Sequence, residues 1–71
     1  METITITTEF IKLQDLLKFA DLVSSGGEAK MVIQDGQVLV DEEPCLQRGR
    51  KIKPGNIVTF KNQKYSVAYA D

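Results

Sequence analysis

The opening residues alternate. In ETITIT, threonine separates Ile4 from Ile6, the period of two expected of a strand with one buried face. From Lys12 the period lengthens. Leu13, Leu16, Leu17 and Ala20 fall at i, i+3, i+4 and i+7, one face of a helix that the pattern carries to Leu22–Val23. After a Ser-Ser-Gly-Gly break, a second helix is expected between Ser25 and Gly36, with Ala29, Val32 and Ile33 as its apolar stripe. Ser25 and Glu28 form a capping-box pattern at its start, and Gly36 is placed to take the left-handed backbone that ends a helix. QVLV, Gln37 to Val40, then alternates again, with Val38 and Val40 inward.

The rest of the chain reads as short strands between turn signals. Asp41-Glu42-Glu43-Pro44 is expected to turn, Pro44 disfavours a central strand position just after it, and Cys45-Leu46 can pair back as a short arm. Pro54-Gly55 suits the middle of a type II turn, proline fixing φ and glycine accepting a positive one. Ile57 to Lys61 and Lys64 to Tyr69 are expected to form a hairpin around Asn62-Gln63, with Val58 and Phe60 facing Tyr65 and Val67. The element order implies an α+β fold. A two-helix, helix-turn-helix-like unit packs on a small, mainly antiparallel sheet of about four to five short strands. Residues 1–71 are read as a single domain.

Composition narrows the function. A 42% hydrophobic and 27% charged chain is globular rather than disordered. No apolar run approaches the roughly 20 residues of a membrane span, so no membrane association is expected. METITITTEF lacks the basic start and apolar centre of a secretory signal, and a cytoplasmic location is expected. There is no histidine and only one cysteine. An internal disulfide, a thiolate zinc site, a Cys–His pair and a Ser–His–Asp triad are all excluded. No cofactor, metal or small-molecule substrate is expected, and the chain is not read as an enzyme. Cys45 is read as a small apolar residue.

Charge supplies the positive clue. Residues 1–43 hold Lys12, Lys18 and Lys30 against nine acidic side chains, a net of −6. Residues 44–71 hold six basic side chains against Asp71 alone, a net of +5, so the overall −1 is the sum of two opposed blocks. The densest cationic segment is QRGRKIKPGN, with Arg48, Arg50, Lys51 and Lys53. Lysine and arginine bind phosphate backbones through charge and counterion release, and the arginine fork matches phosphate oxygens. Gly49 leaves the backbone between the two arginines open to a phosphate. On these residues alone, a solvated loop that balances the acidic half and a site for an anionic partner are equally good readings.

The ordered motifs tip the balance. A helix with spaced leucines, then SGGEAK, IQDGQVLVD and RGRKIKPGN, together resemble the alpha-L RNA-binding motif, the S-four domain. The likeness is strongest to its small stand-alone members, the YaaA/YbcJ-like group. Leu13, Leu16 and Leu17 fit the family's first helix; Ser25, Ala29 and Lys30 the second; Ile33, Gly36, Val38 and Val40 the strand after it; Pro54, Gly55 and Asn56 a later turn. The resemblance covers about residues 10–60 and implies a non-enzymatic protein that docks structured RNA, ribosomal, ribosome-associated or tRNA-like. Arg48, Arg50, Lys51 and Lys53 are the expected contacts, joined by Lys30 at a family contact position and by Lys12 at the head of the first helix.

Three positions depart from the family pattern: Gly26 replaces a frequent arginine, Asp41-Glu42 a frequent Asn-Gly, and Gln47 a frequent arginine. Gly26 and Gly27 could offer backbone N–H groups to a phosphate, although Glu28 opposes an anion there. Lys61 and Lys64 are read as charges protecting a strand edge, and Phe10, Phe19, Phe60, Tyr65 and Tyr69 as core rather than as a stacking platform. The alternative is a small adaptor whose acidic half binds a basic partner such as a ribosomal protein. A ubiquitin-like carrier is disfavoured by the closing AYAD, which lacks a Gly-Gly tail, and duplex DNA binding by the absence of a helix dense in base-reading side chains.

Overall fold

The computed structural model describes residues 1–70. In chain order, the elements are β1 (Glu2–Ile6), β2 (Ile11–Lys12), α1 (Leu13–Phe19), α2 (Gly26–Gln34), β3 (Val38–Val40), β4 (Glu43–Pro44), β5 (Lys51–Ile52), β6 (Ile57–Phe60) and β7 (Gln63–Tyr69). Five strands form one sheet in the order β1-β7-β6-β3-β4, and β2 with β5 makes a separate two-stranded ladder. Within the large sheet only β1 and β7 run parallel, with Ile4 opposite Val67. Hence the sheet is mixed, and mainly antiparallel.

The expected apolar faces meet in one core. Ile4, Ile6, Leu13, Leu16, Leu17, Ala29, Val32, Ile33, Val38, Val40, Val58 and Val67 are all buried, as is Cys45. The buried Leu13, Leu16 and Leu17 of α1 and Ala29, Val32 and Ile33 of α2 share this core with the inner face of the sheet. Burial of these side chains is the main stabilising term at this chain length.

Helix α1 stops earlier than its periodicity suggests. Asp21 adopts a left-handed backbone (φ 61°). Its N–H donates to the Lys18 carbonyl (3.0 Å) and the Leu22 N–H to that of Leu17 (2.9 Å), a Schellman closure with aspartate in the place glycine usually holds. Leu22 and Val23 therefore lie beyond the helix, yet still pack on the core. Helix α2 ends by the same motif with the expected residue: Gly36 has φ 76°, and Gln37 N–H donates to the Val32 carbonyl at 3.0 Å.

Two hairpin turns also differ from expectation. Asp41 and Glu42 both have positive φ (51° and 73°), so they alone form a two-residue turn and pairing already resumes at Glu43–Pro44, ahead of Cys45, whose N–H also pairs back by donating to the Val38 carbonyl at 3.0 Å. Pro44 is accommodated because β4 is the sheet edge. The β6–β7 turn is Lys61-Asn62 (φ 53° and 63°), one residue ahead of the expected position, with Phe60 opposite Gln63 and Val58 opposite Tyr65. At Pro54-Gly55 the type II reading holds: Gly55 has φ 100° and Asn56 N–H donates to the Lys53 carbonyl at 3.0 Å.

Candidate functional site

The basic segment is built into the fold by two local devices. The first is the β2–β5 ladder, which pairs Ile11 with Ile52 and Lys12 with Lys51 in antiparallel register. Ile52 is fully buried, whereas Lys51 and Lys53 on either side of it are exposed. One isoleucine thus anchors the loop while its neighbours project into solvent, the alternation that strand backbone imposes.

The second device caps α1. Its N-cap residue, Lys12, offers no side-chain hydrogen bond to the free amides of the first turn. Carbonyls of the basic loop supply the acceptors instead. Leu13 N–H donates to the Arg50 carbonyl at 2.9 Å and Gln14 N–H to the Arg48 carbonyl at 3.1 Å. Between them, Arg50 N–H donates to the Gln47 carbonyl at 3.2 Å, closing a turn with Arg48 and Gly49 at its centre. A Cβ added at Gly49 would meet nothing within 4 Å, so the backbone there is open on its outer side.

Lys12, Arg48, Arg50 and Lys51 are thereby gathered around the start of α1. Lys53 follows one residue past the ladder and is held at its own backbone: its N–H donates to Asn56 Oδ1 (2.7 Å), and Asn56 Nδ2 donates to Asp41 Oδ2 (2.7 Å). Asp41 Oδ1 accepts the Ile57 N–H at 2.9 Å. The carboxylate that replaces the family's frequent asparagine therefore tethers two turns to each other.

All six cations expected from the sequence are exposed. The two ion pairs among the described residues, Lys18–Asp15 (3.5 Å) and Lys64–Glu42 (3.0 Å), use none of them. Lys30 lies on α2 rather than in the basic loop or at the head of α1. It lies four residues from Gly26 and so on the same helix face. Lys18, which the sequence pattern did not single out, brings its ammonium within 3.9 Å of where a Gly26 Cβ would stand. Its place off the leucine stripe marks Lys18 as exposed, but only the packing of α1 against α2 directs it there.

The start of α2 carries its own anion. Ser25 Oγ accepts the Glu28 N–H at 3.1 Å, as a capping box requires. The return bond is displaced by one residue: Glu28 Oε1 accepts from the Ser24 N–H (2.8 Å) and hydroxyl (3.0 Å) rather than from the Ser25 amide. The Ser24 N–H bond, then the Ser24 hydroxyl, holds the Glu28 carboxyl below its ordinary range, with the charge of Lys61 adding to the effect. A phosphate at this helix start would meet that carboxylate.

The aromatic residues divide. Phe60 and Tyr65 are buried as expected, but Phe10, Phe19 and Tyr69 are exposed by 37%, 62% and 52%. Phe19 and Tyr69 are the last residues of α1 and β7, and Phe10 immediately precedes β2. Among the described residues, no cluster of three or more His, Cys, Asp or Glu side chains could hold a metal, and no helix is long and apolar enough to cross a membrane.

Comparison with known proteins adds three likenesses. The S4 domain family matches residues 4–68. A probable ribosome maturation protein, RlbA of Bacillus subtilis (strain 168), is 47% identical over 58 residues, covering 82% of each chain. The solution structure of YbcJ from E. coli, described as revealing an alfaL motif involved in RNA binding, superposes with a TM-score of 0.72 at 33% identity, over 96% of this chain and 87% of that one.

Proposed function

The chain belongs to the S4 domain family, and we propose on that premise that it is a non-enzymatic protein that docks structured ribosomal or ribosome-associated RNA. Lys12, Arg48, Arg50, Lys51 and Lys53 form the main contact surface, and Lys30 extends it along α2. The single observation that carries this reading is the β2–β5 ladder. It sets Lys12 directly opposite Lys51 beside two exposed arginines, with no acidic side chain paired to any of them among the described residues.

Such a surface suits a phosphate backbone. Its contacts are cationic and exposed, so they answer to charge and RNA shape more than to base sequence. With about four phosphates neutralised, log affinity falls against log salt with a slope of roughly −3. The described relatives add support: one is named for ribosome maturation and one for RNA binding. The acidic adaptor has less behind it. Asp15, Glu28, Asp35, Asp41 and Glu42 are each already engaged in hydrogen bonds or ion pairs within the chain.

Crosslinking in cells followed by sequencing of the attached RNA tests the function. Ribosomal RNA enriched above background is the expected result. Recovery of proteins with no RNA above background would support the adaptor instead.

A further inference from the structure

Phe10 is an unusual neighbour for the basic surface. It immediately precedes β2, keeps 37% of its surface exposed, and lies beneath the Lys51 ammonium, 4.9 Å from Nζ to the ring centroid. Its backbone is held by Thr8, whose hydroxyl donates to the Phe10 carbonyl at 2.7 Å. The backbone is thus held at the edge of the loop cluster, and the residue above which Lys51 sits stays partly open to solvent.

The other aromatic residues do not share this combination. Phe60 also has a lysine over it, Lys61 at 5.3 Å, but is 3% exposed and has no face to offer. Phe19 and Tyr69 are more exposed, yet no cation lies over either among the described residues.

We infer that Phe10 is a stacking platform for one unpaired RNA base at the margin of the Lys12–Lys51 cluster. This rests on the RNA-binding reading and sharpens it: the preferred RNA carries a bulged, looped or terminal nucleotide at the point of contact. Aromatic rings accept any base by stacking, and single-stranded or bulged nucleotides are the ones whose faces are free. Lys51 covers one face of the ring by a cation–π contact. A base takes the open face, or takes the place of the ammonium while Lys51 turns to the adjoining phosphate. Because phenylalanine has no hydrogen-bonding group, the platform selects for an unpaired base and not for its identity.

The test uses two labelled blunt-ended RNA duplexes of the same sequence, one fully paired and one with a single bulged adenine. Wild type binds the bulged duplex more tightly. Phe10→Leu, which keeps apolar bulk and loses the ring, weakens binding to the bulged duplex by about five- to 150-fold. It leaves the paired duplex and the salt dependence unchanged, and Phe10→Tyr retains the preference. Circular dichroism establishes that each variant is folded. A folded Phe10→Leu that keeps the wild-type preference, or a wild type with no preference, overturns the stacking role while leaving RNA binding standing. A wild type that binds neither duplex overturns the RNA-binding reading and the stacking role with it.

Discussion

Lys12 and Lys51 face each other directly across the two-residue ladder that joins the start of α1 to the basic loop. Two like charges directly opposite each other destabilise a ladder. No carboxylate is paired to either among the described residues. Phosphate bound between them would remove the repulsion. Lys12→Glu therefore separates stability from function. Its urea midpoint rises, with about 0.2–1 kcal/mol gained, while RNA affinity falls and the salt slope shrinks by about one. A variant that loses both stability and RNA binding would mean that Lys12 acts through the fold.

The Asn56–Asp41 bond ties the turn after the basic loop to the β3–β4 turn. Asn56 also accepts the Lys53 N–H, so removing its side chain frees both turns. Asn56→Ala costs about 1 kcal/mol, the usual net worth of such bonds at an exposed site. The check is a lower denaturant midpoint with an unchanged slope.

Glu28 gives the fold a pH dependence of known sign. Its folded carboxyl lies below the ordinary value of 4.5 because Ser24 donates two hydrogen bonds to the charged form. A depressed folded pKa contributes stability that is fully present above the unfolded value and is lost as pH falls through the folded one. Urea midpoints followed downward from neutral pH show wild type above Glu28→Gln at the start. The difference closes as the pH falls below 4.5 and through the lower folded value.

Gly26 is open to the family's frequent arginine. A Cβ there meets only the Lys18 ammonium, at the ordinary contact distance of 3.9 Å. Gly26→Arg adds a cation on the helix face of Lys30. Filter binding is expected to show severalfold tighter RNA binding and a salt slope steeper by about one. Unchanged binding would place α2 off the contact surface, and Lys30→Ala would then also be silent.

Much of this architecture was readable because local chemistry and burial agreed. Ser25 with Glu28, Gly36, and Pro54-Gly55 each mark a backbone conformation that few other residues favour, and all three appear in the fold. What was hidden depended on residues doing what others usually do, or on contacts distant in sequence. Asp21, Asp41, Glu42, Lys61 and Asn62 take the positive φ that glycine normally signals, and so moved one helix end and two turns. The parallel pairing of β1 with β7 and the β2–β5 ladder join segments far apart in the chain. A two-residue strand is too short to leave a periodic trace. The basic run was legible as charge; its attachment to the head of α1 through the Arg48 and Arg50 carbonyls was not, because any residue can supply a backbone carbonyl.

The most direct test of RNA docking by this loop is titration of total ribosomal RNA with wild type and with the triple variant Arg48→Glu, Arg50→Glu, Lys51→Glu. The replaced side chains are exposed, and the carbonyls that cap α1 are retained, so circular dichroism should remain native. RNA docking through the loop predicts a loss of more than about tenfold in affinity at physiological salt, with the slope of roughly −3 reduced toward zero. A folded triple variant that binds with wild-type affinity and the same salt dependence would contradict it.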